Sequence, residues 1–348
     1  MGCVTDEVRG FLGPATNTLA RAGCDQSVVM IDALRYRHHI AGLHESVELV
    51  MVPSIRNPIR QWRALGSACR EVLASVSLQA IHLHGLWSGL IGAHAVRTVG
   101  VQVPTVFSPH ASHSAAASRG ITTLALALLQ PALHPARRAN IVNPASESPT
   151  FESWRAGGLI ESAVSDSFFT VARREARHPL IVTCGRTQGA RHSELFAQLA
   201  VLLGGEDPCV SFNWLGAVDD VSRARLVAAN VGVFDVADDA ECAARLAAGW
   251  IYLAPAATRG FALHLAEAMA AGLPCVALDC MQHREVIRDG ETGYLCKTSG
   301  DMMECIATLV DDPALRSRIS EAARRDATRR FVESEFGAKL LAAYAPPG

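Results

Sequence analysis

Short apolar segments alternate with longer helical segments along most of this chain, and this alternation is the strongest constraint on its fold. The segments SVVMID (Ser27–Asp32), IHLH (Ile81–His84) and LIVTC (Leu180–Cys184) have the length and composition of buried strands. Segments such as Asn57–Ser75 and Ser193–Leu203 have the length of helices. Strands that alternate with helices predict parallel sheets covered by helices. The sequence therefore predicts an α/β protein.

The length of the chain predicts two domains, because 348 residues exceed one ordinary hydrophobic core. The alternating pattern loosens over residues 145–173, which we interpret as the linker. The predicted parts are a Rossmann-like domain over residues 1–165, a second over residues 166–328, and a C-terminal helix over residues 329–348 that returns toward the first domain. Near the start, Gly10–Gly13 predicts a loop that precedes a helix over Ala15–Ala22.

Composition argues against several classes of protein. The formal net charge of −2 argues against a dedicated nucleic-acid binder. The ten cysteines form no CxxC pair, which is typical of reduced thiols in a cytosolic protein. His82 and His84 share one strand face, but no third ligand has recognisable spacing, so packed histidines are at least as good an interpretation as a metal pair. Since we find neither signal-peptide features nor a run of roughly 20 apolar residues, we expect a cytoplasmic protein.

The segment RGFALHLAEAMAAGLPCVAL (Arg259–Leu278) carries the most specific chemistry. Gly260 precedes a predicted helix that carries Glu267 on its second turn and ends at Gly272. Backbone amides at the start of such a helix favour phosphate, and a carboxylate near them can accept both hydroxyls of a ribose. This pattern predicts a nucleotide site, against the alternative of a plain helix with an exposed glutamate.

This segment resembles the donor-site signature of glycosyltransferase family 4, a group of retaining enzymes with the GT-B fold. EVIRDGETGYL (Glu285–Leu295) resembles the next block of that family, and Cys184-Gly185-Arg186 followed by Arg191 resembles its phosphate clamp. HLHGLWS (His82–Ser88) and SPHASHS (Ser108–Ser114) resemble two acceptor-domain blocks. The resemblance implies two Rossmann-like domains that face a central cleft. The first would bind the acceptor and the second the nucleotide sugar.

The resemblance also implies roles for individual residues. Arg186 and Arg191 would stabilise the charge that develops on the leaving diphosphate, since arginine grips phosphate oxygens bidentately and the reaction then needs no metal ion. His110 would contact the transferred sugar or orient the acceptor hydroxyl. The implied donor-binding residues are Gly13, Gly185, Arg259, Gly260, Phe261 and Glu267. The alternatives are surface arginines at the two clamp positions and a structural histidine at His110.

One residue departs from the family pattern. The family has an acid eight residues before Glu267, where this chain has Arg259. That acid accepts hydrogen bonds from hydroxyls of the donor sugar, and a guanidinium cannot accept them. Arg259 would instead hold a phosphate or the carboxylate of an acidic sugar, or it would mark a slow or inactive enzyme.

The first domain contains a row of arginines. Between residues 51 and 140 there are eight arginines and one acid, Glu71. Arg56, Arg60, Arg63 and Arg70 fall at helical spacing and would line one side of the helix predicted over Asn57–Ser75. We interpret this side as a contact for anionic lipid headgroups or a lipid-diphosphate acceptor at the cytoplasmic membrane face. The alternative is a solvated arginine-rich helix.

Taken together, the sequence predicts a retaining glycosyltransferase that uses a nucleotide diphosphate sugar as donor and no cofactor. The expected acceptor is a glycan or a polyprenyl-diphosphate-linked oligosaccharide of bacterial polysaccharide synthesis. Two rivals remain open at this point. A GT-B sugar-nucleotide epimerase would need catalytic acids in the first domain, where Glu71 stands alone between residues 51 and 140. A non-catalytic sugar-nucleotide-binding partner of an active enzyme is favoured by Arg259.

Overall fold

A computed structural model describes residues 6–32, 43–108, 141–142, 159–184, 190–206, 209–258 and 261–345 of the chain. It divides into two compact units. One consists of residues 1–163 and 333–348, and the other of residues 164–332. The last stretch of the chain therefore belongs to the N-terminal unit.

Helices and strands alternate along most of the described chain. In the N-terminal part they are Asp6–Arg21 (α1), Gln26–Asp32 (β1), Val47–Pro53 (β2), Pro58–Ser75 (α2), Ile81–His84 (β3), Leu86–Val99 (α3), Thr105–Ser108 (β4), Ile141–Val142 (β5) and Leu159–Ile160 (β6). The C-terminal part continues with Asp166–Thr170 (α4), Leu180–Cys184 (β7), Ala190–Glu206 (α5), Ser211–Leu215 (β8), Asp220–Ala228 (α6), Val231–Phe234 (β9), Asp239–Leu246 (α7), Ile251–Ala254 (β10), Leu263–Ala270 (α8), Cys275–Leu278 (β11), Met281–Arg284 (α9), Gly293–Cys296 (β12), Ser299–Asp311 (α10), Pro313–Arg330 (α11) and Glu333–Tyr344 (α12).

The N-terminal unit contains parallel sheets. Strands β1 and β2 pair in parallel, and β3, β4, β5 and β6 form a second parallel sheet in that order. Helix α2 begins where it does because the Asn57 side chain accepts hydrogen bonds from the amides of Ile59 and Arg60, both at 3.0 Å. Its buried Leu65 packs with Val52 of β2 and Ile91 of α3. This packing holds the helix while its other side faces solvent.

The start of the chain differs from its prediction. Gly13 lies inside α1 and not in a loop, and its carbonyl accepts a hydrogen bond from Thr16 Oγ1 at 3.1 Å. The reason is packing: Phe11 and Ala15, four residues apart, share a helix face that is buried against Phe336 and Leu340 of α12. Tertiary burial thus continues the helix through two residues, glycine and proline, that favour loops in isolation.

The predicted linker also contains regular structure. Strand β6 and helix α4 lie within residues 145–173, and the boundary between the two units falls between Ala163 and Val164. Leu159 and Ile160 pair with β5, and the Phe168 ring of α4 is fully buried. Each of these elements is held by two or three apolar residues within a polar stretch. Such short segments are too short to give the periodic pattern from which helices and strands are predicted.

The C-terminal unit is one six-stranded parallel sheet in the order β12-β11-β10-β7-β8-β9. Successive residues of β7 enter different cores: Val182 packs in a cluster with Phe168 and Met269, and Ile181 packs in a cluster with Phe196 and Trp214. Since side chains alternate across a strand, both faces of the sheet are covered by helices. The sheet therefore has the doubly wound arrangement of nucleotide-binding domains.

Candidate donor-binding site

The strand order of the C-terminal unit determines where a ligand would bind. From β7 the chain builds outward through β8 and β9, and it then crosses to the other side of β7 to place β10. Strands β7 and β10 are neighbours, with Ile251 paired to Ile181 and Tyr252 paired to Val182. At such a reversal, the loops after the two strands turn to opposite faces and leave a crevice at the carboxyl ends of the strands.

Apart from Gly13, which lies in α1, the predicted donor residues follow these two strands in the sequence. Gly185 and Arg186 come directly after β7, and Arg259 and Gly260 come in the loop after β10; these four lie outside the described residues, as does His110. Arg191 lies in the first turn of α5 and is exposed to solvent. The clamp segment and the donor-signature segment thus follow adjacent strands.

Phe261 lies just before α8, and Glu267 lies on the second turn of that helix. The Phe261 ring is buried and packs edge-on against Phe331, with ring centroids 5.6 Å apart. It anchors the turn, so a contact of this residue with a nucleotide would involve its backbone. Ala262 occupies the cap position of α8 and has no side-chain acceptor. The amides of Leu263 and Leu265 donate to the backbone carbonyls of Phe261 and Ala262, at 2.8 and 3.0 Å.

Glu267 is a buried carboxylate with a histidine partner. Its side chain is 5% exposed, and its Oε2 lies 2.8 Å from Nδ1 of His264, which is 11% exposed. The two residues are three apart on α8 and therefore share a face. An ionised Glu267 can only accept hydrogen bonds, so in that form the proton of this bond would be on Nδ1 of His264.

Two further histidines lie around the same strand ends. Nε2 of His192 lies 2.9 Å from Thr183 Oγ1 of β7, and the carbonyl of Leu278 accepts from Nδ1 of His283 at 2.6 Å. Both rings are almost completely buried. Nδ1 of His192 and Nε2 of His283 have no hydrogen-bond partner among the described residues. Burial first, and then the nearby His264 and His283 rings, lower the pKa of His192 to about 3.

The lowered pKa of His192 predicts a pH-dependent stability. An unfolded histidine titrates near 6.5, so between that pH and about 3 the unfolded chain binds more protons than the folded chain. Stability is therefore lost as the pH falls, by about 2 kcal/mol from this residue between about pH 7.5 and about pH 5. We expect His192→Gln, which cannot titrate, to flatten the pH dependence of the unfolding free energy measured by urea denaturation. The exposed His178 provides the control variant His178→Gln, and equal pH slopes in both variants would contradict the assignment.

His82 joins two side chains of the N-terminal unit, and His84 stacks on it. Nδ1 of His82 lies 2.6 Å from the Tyr344 hydroxyl, and Nε2 lies 2.6 Å from Ser108 Oγ. His84 stacks on His82 with ring centroids 4.0 Å apart, and burial lowers the pKa of His84 to about 4. Both nitrogens of His82 are thus engaged by side chains. Across the residues that the structure describes, no cluster of three or more His, Cys, Asp or Glu side chains is arranged to hold a metal ion.

The predicted arginine row of the N-terminal unit is only partly a helix side. Arg60 and Arg63 are exposed on α2, whereas Arg56 is exposed before the Asn57 cap and Arg70 is half-buried. Two large apolar side chains, Ile59 and Trp62, are also 64% and 45% exposed. Cations beside an exposed tryptophan and isoleucine form an amphipathic surface. In the described part of the chain, no helix has the length and apolar character needed to cross a membrane.

Several site residues were not found by sequence reasoning. His264 stands three residues before Glu267, a spacing that places two side chains together on a helix and would have found it. His192 and His283 had no such signal, because they come near the site only through the strand order.

Comparison with known proteins finds similarity to glycosyltransferases. Residues 215–326, which include Glu267, match the family model described as Glycosyl transferases group 1. A phosphatidyl-myo-inositol mannosyltransferase of Mycobacterium leprae is 36% identical over 110 residues, which is 31% of this chain and 29% of that protein. A D-inositol 3-phosphate glycosyltransferase of Thermomonospora curvata is 28% identical over 231 residues, 58% of this chain and 52% of that protein. The aligned segments thus span at most about half of these relatives.

Solved structures extend the likeness to nearly the whole chain. Anabaena HepE, in complex with UDP and glucose, has a TM-score of 0.76 at 16% identity and covers 98% of this chain and 96% of its own. At this identity the likeness concerns the fold. The fold of the chain is accordingly the two-domain α/β fold of the GT-B glycosyltransferases, which confirms the predicted fold class.

Proposed function

We propose that this chain is a retaining glycosyltransferase that moves a sugar from a nucleotide diphosphate sugar to a hydroxyl of a glycan or lipid-linked oligosaccharide. The observation that carries the proposal is the sheet reversal between β7 and β10, with the clamp segment after one strand and the Glu267 helix after the other. Ligands of doubly wound sheets bind at this position. The matched family segment, residues 215–326, contains the second of these two elements.

The chemical roles follow from the charges. The amides at the start of α8 and the guanidinium groups of Arg186 and Arg191 would stabilise the leaving diphosphate. Glu267 would accept hydrogen bonds from the ribose hydroxyls. His110 would orient the acceptor hydroxyl or contact the transferred sugar. Arg259 would hold a phosphate or the carboxylate of an acidic sugar. In this scheme the arginines supply the positive charge, and no metal ion is required.

A thermal-shift screen of the purified chain against UDP, GDP, ADP and dTDP sugars tests the donor site. We expect one nucleotide to raise Tm in the wild type and in Glu304→Ala, which changes an exposed acid of the same unit. Glu267→Ala should lower the affinity for that nucleotide by roughly tenfold to a hundredfold, since hydrogen bonds to a charged group contribute about 1.5–3 kcal/mol. A wild-type chain that no nucleotide stabilises would refute the donor site.

Turnover separates the catalytic proposal from a non-catalytic alternative. Arg259 in place of the usual acid favours a chain that binds a sugar nucleotide without cleaving it. Release of the nucleoside diphosphate in the presence of donor supports the transferase, and stable binding without release supports the partner role. The epimerase alternative is weaker, because Glu71 is exposed on α2 and accepts a hydrogen bond from Ser67.

We further propose that the exposed side of α2 contacts anionic lipid. Each cation near an anionic surface contributes about 1 kcal/mol, so Arg60→Glu should weaken vesicle binding by on the order of tenfold or more. The measurement is co-sedimentation with vesicles of phosphatidylcholine, with and without phosphatidylglycerol. Arg97→Glu, at an exposed arginine of α3, is the matched control. If the two variants lose vesicle affinity equally, net charge alone explains the binding, and α2 is not a defined lipid-binding surface.

A further inference from the structure

We propose that His264 is a positioning residue that orients the Glu267 carboxylate toward the ribose and thereby determines how strongly the site prefers a ribonucleotide to a deoxyribonucleotide. The inference rests on the proposed donor site. It assigns a role to a side chain outside the predicted clamp, and it concerns selectivity as well as binding.

The side chains of His264 and Glu267 meet on one face of α8. Nδ1 of His264 lies 2.8 Å from Oε2 of Glu267, with the two side chains 11% and 5% exposed. A carboxylate side chain rotates freely when it is solvated, whereas a short bond from a ring on the same helix face fixes its rotamer. His264 therefore determines the direction of the second oxygen of Glu267.

The burial of the Glu267 carboxyl makes each hydrogen bond to it count. Removing a donor from a buried carboxylate weakens the stabilisation of its ionised form. In the case of Glu267, loss of His264 favours the protonated carboxyl, which donates one hydrogen bond and accepts fewer. A ribose offers two hydroxyl donors, so an ionised and fixed carboxylate is the form that recognises it.

His264 also occupies a position in the fold that fits this role. It lies in the first turn of α8, after β10, and it is close enough to lower the pKa of His192, which follows β7. It therefore lies where both strands of the reversal end. A ring in that place is near the nucleotide, as its proposed role requires.

The experiment compares UDP with 2′-deoxy-UDP by isothermal titration calorimetry, or GDP with 2′-deoxy-GDP if GDP is the nucleotide that stabilises the wild type. The proteins are the wild type, His264→Leu and His264→Asn, with His178→Asn as an exposed-histidine control. Asparagine places an amide N–H close to the position of Nδ1, whereas leucine has a similar volume and no donor. Near-ultraviolet circular dichroism establishes that each variant is folded.

We expect the wild type and His178→Asn to prefer the ribonucleotide by about tenfold or more. The preference should fall below about threefold in His264→Leu and should be largely restored in His264→Asn. If both His264 variants lower the affinity for the two nucleotides equally, the ratio of the two affinities stays at its wild-type value. His264 is then only structural, and the inference is overturned. If the wild type binds no nucleoside diphosphate, the proposed function fails and this role fails with it. The ratio therefore separates the two failures.

Discussion

Replacing Arg191 by alanine is expected to lower turnover of the sugar nucleotide on the order of 10²–10³-fold. Arg191 lies in the first turn of α5, the helix after β7, and its side chain is exposed. In the proposed reaction its guanidinium neutralises charge that develops on the diphosphate as the sugar leaves, so the loss should appear mainly in kcat. The thermal stability should be almost unchanged, because an exposed side chain contributes little to folding. The measurement is the rate of nucleoside diphosphate release under saturating donor.

Two further variants make this result specific. Arg191→Lys keeps the charge but loses the bidentate contact, so we expect an intermediate rate. Arg325→Ala removes another exposed arginine of the same unit, whose partner is the exposed Glu321, and it should retain the wild-type rate. If Arg191→Ala and Arg325→Ala turn over donor equally well, Arg191 is a surface arginine and the clamp has to be built from other groups.

The fold could be predicted where burial is continuous. The strands over Ile81–His84 and Leu180–Cys184 are predicted with the bounds that the structure gives. These runs pack within the sheets, so their apolar character reports their structure directly. Helix ends moved by a few residues, as with α5, which was predicted over Ser193–Leu203 and spans Ala190–Glu206.

The failures of sequence reasoning have a different cause. Gly13 and Pro14 favour a loop locally, but α12 comes from the far end of the chain and buries Phe11 and Ala15. No local pattern contains that contact. Likewise, β6 is only two residues long and exists because β5 is beside it. Both elements depend on distant partners.

In the candidate donor site, too, some residues are predictable from local sequence and others only from the strand order. Glu267 could be predicted from its place in a glycine-bounded helix. Its histidine partner was within reach of the same reasoning, since it stands one helical turn earlier. The approach of His192 to this pair required the strand order, which crosses from β9 to β10 and cannot be inferred from the spacing of either segment alone. Sequence thus identifies the residues of each loop, whereas topology determines which loops meet.

Replacing Gly293 by alanine is expected to destabilise the C-terminal unit by about 3 kcal/mol or more. Gly293 begins β12 and is paired with Cys275 of β11. A Cβ at this position would lie 2.6 Å from the Cys275 carbonyl oxygen and 3.3 Å from the Ile287 side chain. The backbone oxygen belongs to a buried strand and cannot move aside without separating β11 from β12. The requirement for glycine here is the close approach of two strands, since Gly293 is not among the positive-φ glycines of the described residues.

Calorimetry of the full chain checks this expectation, because 3 kcal/mol corresponds to a decrease in Tm of about 6–12 °C for a unit of this size. Gly204→Ala is the matched control: Gly204 lies in α5, and a Cβ there would meet no atom within 4 Å. That variant should keep or raise Tm slightly, because alanine restricts the unfolded chain and favours a helix. If the Tm of Gly293→Ala instead equals that of Gly204→Ala, β12 can shift along β11 at little cost in free energy. The strands beyond β10 would then be only weakly held in the sheet. Helix α8 lies between β10 and β11 in the sequence, so its position would be less rigid than its burial indicates.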